Sequence, residues 1–339
     1  MARQNTKGDL VRRPYGSDST GRHDIRGLII GVITGGVSQE RDRSLLSGRT
    51  VHESLSSRGY RTKLIDSAEP NFLDQLREID VAFLAIAGQY AEDGKLQGLL
   101  EMLRIPYTGS GVLASALGMQ KAASKKFVAA LGIPVLGHAE LDLSGDVDIL
   151  AKGVAEAVGF PVMLKPLSEG GSVGMSIASN PAEFRELIQS LDASTPQEMF
   201  AERYCAGRSV TVGVIDGPAG PQALPALEAI SVTKFYDYDS KRNPAMHSYQ
   251  CPALLESALR DQISENAVTV HKELGCIGYS RSDFIVDETG KGYFLEINTL
   301  PGLSRTGNLA TMAQAQGIEY DNLVEFILES ALERDEYVA

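Results

Sequence analysis

Apolar residues in the first third of the chain gather in short runs that end at or near glycine. These runs cover residues 27–34, 62–66 and 81–87, and residues 44–58 between the first two have helical spacing. Short runs rich in Ile and Val that alternate with an amphipathic helix are typical of a parallel sheet covered by helices. Ligands of such sheets bind beyond the carboxyl ends of the strands. The segments that follow residues 34 and 87 are therefore the first candidates for a site.

Beyond residue 118 the pattern changes to shorter strands and helices without a long apolar run. We predict helices over residues 121–131, 181–191, 254–274 and 320–332, and strands over residues 160–166, 199–204, 210–215, 223–230, 279–286 and 292–298. The last two strands pair as a hairpin around residues 287–290. The pattern predicts a fold of the α/β class with α+β lobes. Its expected parts are a disordered tail over 1–26, a parallel α/β domain over 27–118, a central lobe over 119–208 and a C-terminal lobe over 209–339.

Residues 233–252 form a polar and aromatic stretch with no clean period. A loop of that length inside a compact domain is usually functional. We therefore expect a mobile loop there that closes over the site.

The net charge and the cysteine content limit the classes of partner and site that we expect. The net charge is -12, and an acidic chain repels nucleic acid and anionic lipid, so we expect neither as a partner. No run approaches the roughly 20 apolar residues of a membrane span. The three cysteines include no CxxC pair, which argues against a disulfide framework or a zinc site and favours a reducing cytoplasm.

A glycine-rich stretch over residues 168–174, Ser-Glu-Gly-Gly-Ser-Val-Gly, is the first candidate site. Glycines let backbone amides approach an anion closely. Lys165 precedes the stretch at the end of an apolar strand, where it can meet a phosphate. No Gly-Lys-Ser/Thr follows, so this is not a Walker loop. A flexible hairpin loop remains the alternative.

The late hairpin is the second candidate site. Residues two apart on a strand share a face, so Arg281 and Asp283 point the same way, as do Glu296 and Asn298. Two carboxylates and an amide oxygen suit Mg²⁺ that bridges nucleotide phosphates. A solvated strand face is the alternative, but the apolar neighbours of these residues favour a site, because charges there need partners or a metal.

Seven segments, taken in order, resemble the D-alanine–D-alanine ligase family across residues 27–327. They are Gly35-Gly36-Val37-Ser38-Gln39-Glu40, Glu92-Asp93-Gly94-Lys95-Leu96-Gln97-Gly98, Pro106-Tyr107-Thr108-Gly109-Ser110-Gly111, Gly118-Met119-Gln120-Lys121, Lys165-Pro166, Phe235-Tyr236-Asp237-Tyr238 with Lys241, and Glu296-Ile297-Asn298-Thr299-Leu300-Pro301-Gly302. The resemblance implies a three-lobed ATP-grasp fold and an ATP-dependent, ADP-forming ligase of peptidoglycan or dipeptide synthesis. It further implies two amino acid substrates, two Mg²⁺ ions with Mn²⁺ as the alternative, and a homodimer.

The resemblance also assigns roles by position. The implied nucleotide-binding residues are Lys121, Lys165, Glu202, Tyr204, Phe235, Leu295, Gly170 and Gly171, with Glu202 accepting from the adenine amino group. The implied catalytic residues are Glu40 for the first ammonium, Lys241 for the transferring phosphate, Arg281 and Gly302 for the oxyanion, and Ser172. The implied metal ligands are Asp283, Glu296 and Asn298.

The substrate half departs from the family pattern. Where the family usually has His, Ser, Tyr, Ser and Glu, this chain has Ala87, Gly171, Arg242, Gly307 and Ser209. Most of these changes remove polar groups and leave a roomier pocket, while Arg242 adds a cation that suits an acidic group. We therefore expect a ligase with altered amino acid substrates. The alternatives are a conventional D-alanine–D-alanine ligase and a non-catalytic nucleotide-binding homologue.

Overall fold

The computed structural model describes residues 25–166, 175–191, 198–231 and 247–332. It opens with a three-stranded parallel sheet in the order β2-β1-β3, which confirms the predicted parallel arrangement. The strands are β1 (Ile29–Thr34), β2 (Arg61–Asp66) and β3 (Val81–Leu84), and the helices are α1 (Arg41–Ser57), α2 (Phe72–Leu76), α3 (Lys95–Met102) and α4 (Val112–Met119). Strand β3 ends three residues earlier than predicted, because residues 85–87 leave the sheet to line a cavity.

The second unit is a four-stranded antiparallel sheet in the order β4-β7-β5-β6. It contains β4 (His138–Asp142), β5 (Val162–Pro166), β6 (Ser176–Ala178), β7 (Glu198–Arg203), α5 (Lys121–Ala130), α6 (Val147–Ala157) and α7 (Pro181–Ser190). Asp146 and Asn180 cap α6 and α7 by accepting hydrogen bonds from first-turn amides, which fixes where both helices begin. Helices α6 and α7 pack together on this sheet around the buried ring of Phe184.

The third unit is a sheet of six strands, in the order β11-β10-β8-β12-β13 with β9 paired to β8. It contains β8 (Arg208–Gly217), β9 (Gly220–Ala223), β10 (Leu227–Ser231), β11 (His247–Gln250), β12 (Tyr279–Val286) and β13 (Gly292–Asn298). Its helices are α8 (Ser257–Glu273), α9 (Asn308–Ala315) and α10 (Tyr320–Ser330).

Two predictions for this unit were wrong in detail. The single strand expected over residues 223–230 is two strands, because Pro225 lies between them and proline lacks the amide proton that a sheet requires. The end of the expected loop over residues 233–252 is strand β11, antiparallel to β10. Residues 232–246 lie outside the described part of the chain.

The C-terminal helix returns to the first unit. Buried side chains of α10, Leu323, Val324, Ile327 and Leu328, join the same hydrophobic cluster as the core of the parallel sheet. Ser54 of α1 also donates a 2.7 Å hydrogen bond to Asp321 of α10. The last helix therefore stabilises the first unit by apolar burial.

The β12–β13 hairpin has the predicted form. Its register places Arg281 opposite Asn298 and Asp283 opposite Glu296, so these four residues share one face. A register shift between Asp283 and Phe284 follows directly after them. The hairpin thus presents a polar patch at one edge of an otherwise apolar strand pair.

No helix within residues 25–166, 175–191, 198–231 and 247–332 is both long and apolar enough to span a membrane.

Candidate active site

A cavity of about 1030 Å³ is lined by residues of all three units. Every predicted site residue that the structure describes lines it: Glu40, Ala87, Lys121, Lys165, Glu202, Tyr204, Arg281, Asp283, Leu295, Glu296, Asn298, Gly302 and Gly307. The cavity therefore brings together residues that lie far apart in the sequence. The other predicted residues lie outside the described segments: Gly170, Gly171, Ser172, Phe235, Lys241 and Arg242.

One wall of the cavity carries a buried cluster of three charges. Lys165 of β5 lies 2.7 Å from Glu202 of β7, and Lys125 of α5 lies 2.5 Å from the other oxygen of the same carboxylate. Burial raises the pKa of Glu202, but the two ammonium groups outweigh it and hold that pKa below its usual value. Burial likewise lowers the pKa of Lys165, and Glu202 with Glu296 outweighs it and raises the net pKa.

The net shift in the pKa of Lys125 is opposite to that of Lys165. Burial lowers the pKa of Lys125, against the attraction of Glu202. A carboxylate oxygen 2.5 Å away favours the ammonium form, so we treat the pair as ionic. Sequence reasoning missed Lys125. Its only signal is the helical spacing of four residues from Lys121, which puts both lysines on one face of α5.

A second wall of the cavity is the hairpin. Arg281 donates two hydrogen bonds to Asp283, of 2.8 and 2.9 Å, and Thr211 of β8 donates a third of 2.5 Å. Burial lowers the pKa of Arg281, but Asp283 more than offsets this and raises the net pKa, so the guanidinium stays charged. Glu296 lies 4.0 Å from Lys121, which links the hairpin to α5.

The hairpin residues fit a hard cation by donor chemistry. Two carboxylates and one amide oxygen lie on one face, as the strand register shows. The amide oxygen of Asn298 already accepts a 2.9 Å hydrogen bond from the backbone of Leu300, which fixes its orientation. Within the described segments, no three His, Cys, Asp or Glu side chains gather closely enough to hold a metal alone. An ion here would therefore depend on the amide and on groups from a bound anion.

The third wall comes from the turns after β1 and β3, where the strand pattern predicted a site. Gly35 has a φ of +73°, and a Cβ there would lie 2.1 Å from an oxygen of Asp66, so only glycine fits. Asp66 accepts two hydrogen bonds from Arg41, at 3.0 and 2.6 Å, which fixes the start of α1 beside Glu40. Ser38 donates a 3.0 Å hydrogen bond to the carbonyl of Ala87 and so joins the two turns.

Glu92 lines the cavity and is a second residue to which sequence reasoning gave no role, although it begins one of the matched motifs. Its side chain is 8% exposed and accepts a 3.1 Å hydrogen bond from the amide of Gly88. Burial, with the nearby charge of Glu40, raises the pKa of Glu92 to about 8. Arg281 and the Gly88 amide oppose that rise without cancelling it.

Two departures from the family pattern line the cavity where substrates are expected. Ala87 presents only a methyl group beside the Glu40 turn. A Cβ at Gly307 would lie 3.0 Å from the hydroxyl of Ser304 and 3.4 Å from the carbonyl of Gly302, so a side chain there needs a small shift of that loop. Ser209, also in the cavity wall, is a shorter side chain than the family glutamate.

Three sheets surround one cavity, which is lined by lysines and by the carboxylates of the hairpin. This arrangement defines an ATP-grasp protein, and the likeness to solved structures agrees with it. The family models described as D-ala D-ala ligase N-terminus and C-terminus match residues 63–110 and 127–329. The chain belongs to the D-alanine–D-alanine ligase family.

Relatives and solved structures agree with this assignment. The chain is 40% identical to a D-alanine–D-alanine ligase of Geobacter sulfurreducens over 91% of this chain and 96% of the relative. It is 41% identical to that of Geotalea uraniireducens, over 89% and 95%. The Bacillus anthracis D-alanine–D-alanine ligase complexed with ATP superposes with a TM-score of 0.76 at 31% identity, covering 90% of this chain and 97% of that one.

Proposed function

We propose that this protein is an ATP-dependent ligase that joins the carboxylate of one amino acid to the amine of another. The observation that carries the proposal is that the lysine wall, the hairpin carboxylates and Glu40 all line the same cavity. Membership of a family whose relatives are named D-alanine–D-alanine ligase supports it. ATP as the nucleotide is supported by the complex of the Bacillus anthracis protein.

In the first step, a carboxylate oxygen of the first amino acid attacks the γ-phosphorus of ATP, and ADP leaves with the electrons of the broken bond. Lys121 and Lys165 offset the phosphate charge from one side of the cavity. Asp283, Glu296 and Asn298 would hold Mg²⁺, which supplies further charge neutralisation when bound. Glu40 binds the ammonium group of the amino acid, and so orients its carboxylate.

In the second step, the amine of the second amino acid attacks the acyl carbon, phosphate leaves, and the nitrogen loses a proton. Arg281 and the backbone near Gly302, which line the cavity, would stabilise the oxygen that becomes negative in the tetrahedral intermediate. A cation that is already oriented stabilises the tetrahedral intermediate more than a mobile one does, because it need not be reoriented during the reaction. The two-point contact with Asp283 provides that orientation.

We further propose that the amino acids differ from two D-alanines. Ala87 and Gly307, which both line the cavity, each lack the side-chain donor that the family usually has at that position. Gly171 and Arg242, which lie outside the described segments, are two further departures from the family pattern at positions implied to bind substrate. A conventional D-alanine–D-alanine ligase is the second candidate, favoured by the names of relatives about 40% identical.

The test is release of phosphate from ATP across a matrix of D- and L-amino acid pairs, with mass detection of products. We expect release that depends on both amino acids, and a dipeptide whose mass equals their sum minus water. Release only with two D-alanines would select the conventional enzyme. A purified, folded protein that releases no phosphate with any pair would contradict the ligase function.

A homodimer and a cytoplasmic location stay predictions. Light scattering that gives twice the chain mass of 36.4 kDa would support the homodimer.

A further inference from the structure

Lys125 lies behind the cavity wall rather than on it. Its side chain is 1% exposed, and its ammonium group donates a 2.9 Å hydrogen bond to the carbonyl of Phe294 besides contacting Glu202. Lys165 and Glu202 line the cavity, whereas Lys125 does not. Glu202 therefore has one lysine at the cavity surface and one sealed in the protein.

The charges of this cluster do not balance by themselves. Two ammonium groups and one carboxylate carry a net charge of +1 in a region where Glu202 is 2% and Lys165 14% exposed. Buried charge is costly unless it is paired. Because the more exposed lysine faces the cavity, an anion that enters there can take up the excess charge by contacting Lys165.

An anion can recruit Lys165 fully only if Glu202 keeps another partner. Without Lys125, Glu202 would be a buried carboxylate whose counterion in this cluster is Lys165 alone. Moving that lysine toward a phosphate would then leave the carboxylate uncompensated, which costs far more than breaking an exposed ion pair. With Lys125 in place, 2.5 Å away and anchored to Phe294, this cost is largely removed.

We propose that Lys125 is a positioning residue: it is the fixed counterion of Glu202, and it thereby frees Lys165 to bind a nucleotide phosphate. The proposal rests on the proposed nucleotide-binding function. It assigns Lys125 no contact with the nucleotide itself. Its effect should therefore appear in the recognition of phosphate, which Lys165 reaches, rather than in recognition of the nucleoside.

Comparing the binding of ADP with that of adenosine tests whether Lys125 affects recognition of phosphate rather than of the nucleoside. Dissociation constants of both are measured by calorimetry for the parent and for Lys125→Met, which keeps length and removes charge. We expect the ratio of the adenosine constant to the ADP constant to fall about 10- to 100-fold, roughly the worth of one charge-assisted hydrogen bond. Lys126→Met is the matched control, because Lys126 is the next residue of α5, is 67% exposed and pairs with Glu140. It should leave the ratio unchanged.

A purely structural role for Lys125 gives a different result. In that case Lys125→Met would weaken the binding of ADP and of adenosine equally and leave the ratio of their dissociation constants unchanged. That outcome would overturn the proposal. Failure of the proposed function is distinct again, since the folded parent would then bind neither ADP nor adenosine.

A comparison made in the Glu202→Gln background keeps the test decisive even when Lys125→Met alone fails to fold. Glu202→Gln removes the carboxylate that Lys125 is proposed to balance. In that background, adding Lys125→Met should change the ratio of the adenosine constant to the ADP constant by less than about twofold, because Lys165 is already released. A further loss of ADP affinity of about tenfold in the double variant would show that Lys125 acts on phosphate by another route, and the proposal would be wrong.

Discussion

Arg281 and Asp283, two residues apart on strand β12, bind each other through two hydrogen bonds inside the cavity, of 2.8 and 2.9 Å. Both oxygens of Asp283 are thus engaged, although the sequence predicted this residue as a metal ligand. The guanidinium gains a fixed orientation, and the carboxylate gains a cation that a metal ion would have to share or displace. The pair therefore couples the proposed metal site to the proposed oxyanion site.

Arg281→Lys tests whether Arg281 acts through its charge alone or through its fixed orientation. A lysine keeps the positive charge but cannot make the two-point contact with Asp283. We expect kcat to fall about 10²- to 10³-fold, the usual effect of losing one oriented oxyanion donor, while the dissociation constant for ATP changes by less than about fivefold. Steady-state phosphate release and nucleotide titration measure the two effects. Arg260→Lys, on the surface of α8, is the control, and an unchanged kcat in Arg281→Lys would refute the role.

Glu296→Gln tests the metal assignment. The substitution keeps size and removes one of the two carboxylates on the hairpin face. We expect ATP turnover to be abolished while the circular dichroism spectrum and the unfolding temperature stay close to the parent values. Glu288→Gln, at the exposed turn of the same hairpin, should retain full turnover. Full activity in Glu296→Gln would show that this carboxylate holds no metal.

The strand patterns predicted much of the site because they report local geometry. Alternation paired Arg281 with Asp283 on β12 and Glu296 with Asn298 on β13, and the register shows that both pairs lie on one face. Lys125 and Glu92 were missed because their importance comes from burial by segments distant in sequence, which no local pattern encodes. Strand β11 was missed for a similar reason, since its pairing with β10 overrides a composition without clear period.

Glu92 should make stability depend on pH. Its pKa is about 8 in the folded protein, against 4.5 for an ordinary glutamate, so between these values the folded form holds a proton that the unfolded form has already released. Stability from this group is therefore lost as pH rises through that window. We expect Glu92→Gln to be more stable than the parent above about pH 8 and to gain little near about pH 5. Unfolding temperatures measured across this range check it.

A matched surface substitution controls for general charge effects in that experiment. Glu186→Gln, at an exposed position of α7, should run parallel to the parent across the same pH range. Curves for Glu92→Gln and the parent that stay parallel would show that Glu92 does not hold its proton in the folded state.

Leu328→Ala should destabilise the protein by about 2–5 kcal/mol, because Leu328 is 0% exposed in the core shared by α10 and the parallel sheet. Chemical denaturation gives the free energy of unfolding. Leu113→Ala, at a position that is 77% exposed, should change it by less than about 0.5 kcal/mol. A similar small change for Leu328→Ala would mean that the C-terminal helix contributes little to the fold of the first unit.

D-alanine pairs should be poor substrates compared with some other pair. Ala87 offers the cavity no side-chain donor, and Gly307 lies in a loop with little room for one. Each lost hydrogen bond to a small substrate costs about 1–3 kcal/mol, and roughly 1.4 kcal/mol is a factor of ten. Arg242, which lies outside the described segments, keeps its charge at any working pH and cannot accept a hydrogen bond. A substrate with a longer or acidic side chain should therefore be favoured.

The comparison is steady-state kinetics of D-alanine against larger and acidic amino acids, for the parent, Arg242→Tyr and Ala87→His. Each substitution restores the residue type usual in the family, so each should raise kcat/KM for D-alanine and lower it for the preferred substrate. Lys126→Met, at an exposed residue that does not line the cavity, should alter neither preference. The altered-substrate proposal is wrong if D-alanine is the best substrate of the parent and both restoring substitutions leave kcat/KM unchanged. In that case the pocket has kept the specificity usual in the family despite losing these groups.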